Sequence, residues 1–184
     1  MKYFCVKYQG PFGFIKPWTA VRDETTYSQT FLAPPTLRGI SQKLFGPGEN
    51  DRILRYKLHF DEIAEQQEVI WAPERKIFTK KGVKYYNNSV FNRGVLLNPV
   101  LVLAFGTEAD AQEAFTQHVC LCRNEDLLFP DAAHGVQPRT EHAFDELPGY
   151  ELRETGNPSD LPVGRDRFAP GGPMTYGQLN VNLP

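Results

Sequence analysis

The run Val100 to Phe105, within the segment PVLVLAF, is apolar at every position. It is far shorter than the roughly 20 residues that a membrane-crossing helix needs, and it reads as a strand. A strand with no polar side must be covered on both faces, so the chain has to build layers around a sheet. At 184 residues there is room for one domain with one sizeable core.

The neighbouring segments supply the other elements. Tyr3 to Tyr8 alternates Phe4, Val6 and Tyr8 with Tyr3, Cys5 and Lys7 and stops at Gly10-Pro11, which predicts a first strand. The stretch TYSQTFLAPPTLRGISQKLFG, Thr26 to Gly46, passes from a polar loop through Pro34-Pro35 into a helical pattern of Leu37, Ile40, Leu44 and Phe45. Thr36 is its expected N-cap and Gly46 its stop. Arg52 to Phe60 predicts a second strand. Glu68 to Trp71 and Ile77 to Tyr86, turned at Lys81-Gly82, predict a protruding β-hairpin. After the apolar run, Thr107 caps EADAQEAFTQHV as a second helix, and CLC follows as a short strand.

The predicted order is that of an α+β, ferredoxin-like (RRM-like) βαββαβ palm over residues 1–128, with an inserted basic hairpin thumb at about 68–96. Prolines recur from Pro130 to Pro184 with few apolar runs, so 129–184 is expected to be an extended Pro-rich tail packed on the domain or a partner.

Charge is segregated although the net value is only −2. No Asp or Glu occurs from Arg75 to Thr107, where Arg75, Lys76, Lys80, Lys81, Lys84 and Arg93 fall. A basic arm beside an acidic C-terminal quarter implies an anionic ligand at one place and a different contact at another. The three cysteines and the lack of a leader pattern make the cytoplasm the expected location. His118, Cys120 and Cys122 alternate as a metal triad with His134 or His142 would, but small cysteines are common in cores and the usual structural spacings are absent. No metal or cofactor is expected. No P-loop, HExxH, Rossmann glycine pattern or GxSxG occurs.

Four features coincide: QGPFGFIKP after the first strand, the Thr26–Gly46 loop-to-helix unit, the basic hairpin after the second strand, and CLCRNEDLL after the second helix. Together, over 1–128, they resemble the fifth family of CRISPR-associated proteins, RAMP-type subunits of Cascade-like complexes. The family's Tyr-Pro-x-Pro-Thr-x-Ser-Ala-x-x-Gly-like stretch corresponds to Leu32 through Gly39, without the Ser-Ala pair. Its Leu-Gly-Arg-x-Glu-Asp-Leu-like stretch corresponds to Leu121 through Leu127, with Cys122 in place of Gly.

The resemblance implies a non-catalytic subunit that caps the 5′ handle of the CRISPR RNA within a hetero-oligomeric ribonucleoprotein, with no membrane role. Its implied neighbours are the backbone subunit, met by the thumb, and the large subunit. Some relatives cleave precursor RNA without metal; here Tyr27, Tyr85, Tyr86, Lys84 and His59 supply acid–base types, but no Lys-His pair occurs. A metal-independent endoribonuclease is therefore the alternative, and a protein-interaction or assembly module a third.

The candidate RNA-binding residues follow. Arg75, Lys76, Lys80, Lys81 and Lys84 with Tyr85 and Tyr86 suit phosphate neutralisation and base stacking, or else a solvated edge hairpin. Arg93 belongs to the same acid-free window. Arg38 and Lys43 either reach the 5′ handle or are plain surface cations. Tyr27, Ser28 and Gln29 either hydrogen-bond splayed bases or satisfy their own loop. Arg123 and Asp126 are expected to pair with each other and lock the strand end.

Overall fold

The structure is a computed structural model that describes residues 1–19, 25–49, 51–71, 78–80, 83–85 and 88–183; residues 70–71, 78–80, 83–85 and 88–89 are described by backbone alone. In chain order the first elements are β1 (Lys2–Gln9), β2 (Phe12–Gly13), β3 (Thr25–Tyr27), α1 (Pro34–Phe45) and β4 (Ile53–His59). The middle holds β5 (Ile63–Trp71), β6 (Phe78–Lys80), β7 (Val83–Tyr85), β8 (Asn88–Leu97), β9 (Val100–Phe105) and α2 (Glu108–Phe115). The last part holds β10 (Val119–Cys120), β11 (Leu127–Pro130), β12 (Val136–Thr140), α3 (Glu141–Asp145), β13 (Gly149–Glu154), β14 (Leu161–Arg165) and β15 (Met174–Asn182).

Nine strands form one antiparallel sheet in the order β10-β11-β1-β9-β4-β13-β15-β14, with β12 also beside β1. This corrects the expected ferredoxin-like βαββαβ palm: the protein is mostly antiparallel sheet, with three helices among the described residues. The reason lies in the C-terminal quarter. It is no extended tail, because β12 lines the outer side of β1 and β13, β15 and β14 extend the sheet beyond β4. Proline suggested a tail because it cannot donate to a ladder on both sides. Pro138 and Pro162 sit in β12 and β14, each of which pairs along one side only among the described residues.

Alternation assigns the two faces of this sheet. Val6 and Tyr8 of β1, Tyr56 and Leu58 of β4, and Leu101, Leu103 and Phe105 of β9 point into one core, with Ile40 and Leu44 of α1 and Ala111 and Ala114 of α2. Tyr56 anchors that core with its hydroxyl, which donates to the Leu32 carbonyl at 2.9 Å and accepts from the Leu152 amide at 2.8 Å. The opposite face buries Tyr3, Cys5 and Ala104 under Phe144 of α3.

Gly149 starts β13 at φ 127°, where a Cβ would lie 2.6 Å from the Leu58 carbonyl oxygen; only glycine lets β13 approach β4 there.

Helix α1 begins at Pro34 rather than at Thr36. Ala33 is its N-cap without a side-chain cap, and the two prolines occupy the first helical positions. Their fixed φ suits those positions and their missing N–H is no loss there. Thr107 does cap α2, accepting from the Asp110 amide at 3.1 Å.

A second sheet sets β8 between β5 on one side and β2 and β3 on the other. The antiparallel β5–β8 ladder runs from Ile63 opposite Leu96 to Trp71 opposite Asn88, and β6 pairs with β7 between those strands in sequence. This forms an arm of antiparallel strands.

Candidate nucleic-acid interface

The root of the arm is built around β8. Strand β3 runs parallel to it, with Tyr27 beside Gly94 and Glu65 of β5 opposite Gly94 on the other side. A Cβ at position 94 would lie 2.2 Å from the Tyr27 ring, so glycine makes the groove in which this ring lies across β8. The Tyr27 hydroxyl donates to Glu65 Oε1 at 3.0 Å, a bond that pushes the phenol above its ordinary range. The ring remains 53% exposed, which leaves an aromatic surface at the base of the arm.

Next to it, the guanidinium carbons of Arg93 and Arg123 stand 5.2 and 5.4 Å from the centre of the buried Phe14 ring. Cation–π attraction of this kind is strongest away from water. Arg93 Nε donates to Glu68 of β5 and Arg123 approaches the same carboxylate at 3.8 Å. Arg123 also donates to Asp126 from Nε at 3.0 Å and from Nη2 at 2.7 Å, while the Asp126 carboxylate accepts the Arg123 amide at 2.8 Å. The segment before β11 is thereby fastened to the arm. The Arg-x-x-Asp spacing pointed to the pair within that segment, but nothing in the sequence linked it to Phe14 or Glu68.

The other candidates are held by the protein itself. Ser28 is buried, accepts from the Ile15 amide at 2.9 Å and donates to the Gln29 carbonyl at 2.9 Å. Gln29 donates through Nε2 to the Phe31 carbonyl at 2.9 Å. Arg38 lies 2.7 Å from Glu154 and 3.2 Å from Asp166. Lys43 donates to the His118 carbonyl.

In the arm's outer ladder Lys80 pairs with Val83, Thr79 with Lys84 and Phe78 with Tyr85, a register that sets Lys80 and Lys84 at alternate positions rather than opposite each other. Arg75, Lys76, Lys81 and Tyr86 lie outside the described residues. Among the described residues no group of three His, Cys, Asp or Glu side chains is placed to hold a metal ion, and no helix is long and apolar enough to cross a membrane.

The fold is similar to that of a chain in a CRISPR RNA-guided surveillance complex. That solved chain is 15% identical with a TM-score of 0.59, and the match covers 98% of this chain and 89% of the other. At such identity the similarity establishes the fold. The sequence matches no protein-family model and no curated protein.

Proposed function

We propose that the protein is a non-catalytic RNA-binding subunit of an RNA-guided complex, which caps the 5′ end of the guide and contacts backbone and large subunits. The carrying observation is the fold similarity over nearly the whole chain, arm included, to a chain of a CRISPR RNA-guided surveillance complex. The arm gives the reading its chemistry. Five of the six cations of the acid-free window lie between Arg75 and Lys84, on or between the arm's strands. Cations of that density neutralise phosphates, and Tyr27, Tyr85 and Tyr86 bring rings on which bases stack.

The test is to incubate the purified chain with a labelled repeat-derived RNA in chelator and separate binding from cutting on native and denaturing gels. A shifted, intact RNA is the expected result. Chelator-resistant cleavage would instead make the protein a metal-independent endoribonuclease, and no shift would point to a protein-interaction module.

A further inference from the structure

The apolar strand β9 is not fully covered. On the face opposite α1 and α2, Ala104 is sealed beneath Phe144, but Val100 and Val102 floor a cavity of about 260 Å³ walled by β12, Leu147 and Pro148. No arm residue lines it. Three fixed cations reach this cavity: Lys7 from β1, Lys57 from β4 and Arg139 from β12.

Two of these cations, Lys57 and Arg139, are incompletely neutralised. Lys57 is 4% exposed and its Nζ stands 3.6 Å from Glu151, whose carboxylate is already taken by Arg55 Nε at 2.7 Å. Lys7 pairs with Asp131 at 3.1 Å. The Arg139 guanidinium has no hydrogen-bond or ion-pair partner among the described residues, its backbone alone pairing with β1. Cys5, also in the floor, adds no negative charge, because burial pushes its thiol up to about 11 against the pull of Arg139 and Arg55. A buried lysine and a half-buried, unpartnered arginine over an aliphatic floor are unfavourable without an anion to complete them.

We propose that this cavity binds a nucleoside monophosphate, its phosphate held by Arg139, Lys7 and Lys57 and its base lying on Val100 and Val102. His59 and Gln137 add hydrogen-bonding groups at the rim for the base edge. The size suits one nucleotide and excludes a helix or strand of a protein partner. The site goes beyond the arm's proposed RNA contact and shares no residue with it.

The experiment is calorimetric titration of the full chain with AMP, adenosine and inorganic phosphate, repeated on Arg139→Gln and on Val102→Phe, which fills the floor without changing charge. AMP is expected to bind at least about tenfold more tightly than adenosine or phosphate alone, with Arg139→Gln weakening AMP about tenfold. Val102→Phe should abolish binding, and alanine substitutions at Lys80, Lys81 and Lys84 should leave it unchanged. Competition by an oligouridylate would show that the nucleotide enters as part of an RNA chain, and its absence that it enters free. Equal binding of AMP and adenosine, no heat with AMP, or unchanged affinity in Arg139→Gln would each overturn the site; should Val102→Phe not fold, Arg139→Gln alone decides.

Discussion

Arg38 Nη2 in α1 donates to Glu154 Oε2 at the end of β13 across 2.7 Å, although 116 residues separate them in sequence. With Asp166 at 3.2 Å from Nη1, this guanidinium fastens the N-terminal helix to the C-terminal strands. Arg38→Ala should therefore lower stability by about 1–2 kcal/mol, between the values for exposed and buried pairs, since Arg38 is well covered and Glu154 less so. That corresponds to a melting temperature lower by roughly 2–8 °C. RNA affinity of the isolated chain should be unchanged; early melting without loss of binding identifies Arg38 as a structural tie.

Glu151 is the carboxylate on which the buried cations of the second face depend. Burial raises its pKa, but the Arg55 hydrogen bond and the charges of Arg55, Arg153 and Lys57 outweigh that, and the net shift is downward. A carboxylate with a lowered folded-state pKa stabilises above its unfolded value near 4.3 and loses that contribution as pH falls through the folded value. Asp145 and Asp131 shift the same way. Urea unfolding should show stability falling below about pH 5. Glu151→Gln should cost about 3–5 kcal/mol at neutral pH by leaving Arg55 and Lys57 undercompensated, and should flatten the acid limb.

Tyr27 and Gly94 should be coupled. Gly94→Ala drives a methyl group into the Tyr27 ring and should destabilise by about 1–3 kcal/mol. In a Tyr27→Ala background the same change should cost less than half as much, a difference that a double-mutant cycle measures directly. Equal costs in both backgrounds would show that the ring can move aside freely.

The sequence made some of this architecture readable and hid the rest for physical reasons. An all-apolar β9 and the Thr107 cap depend on neighbours within a few positions, so local pattern suffices. The C-terminal strands did not stand out because proline reads as a breaker unless one knows that its strand lies at an edge. Thr36 looked like a cap because hydroxyl residues usually are, whereas Pro34 and Pro35 start the helix by backbone geometry alone. At the candidate interface, Ser28 and Arg38 have the same letters whether they face a ligand or bond to Ile15 and Glu154. Only the fold brings those partners near. The cavity was equally hidden, since Lys7, Lys57 and Arg139 come from three strands far apart in sequence.

RNA binding by the arm is tested most directly by the salt dependence of affinity for a single-stranded, repeat-derived RNA. Each phosphate contact contributes roughly 0.7 to the log–log slope on a single strand. Replacing Lys80, Lys81 and Lys84 with Ala should weaken binding and flatten the slope by about 2 if all three neutralise phosphates. An affinity and slope equal to those of the unaltered protein, with the same melting temperature, would contradict an RNA-binding arm.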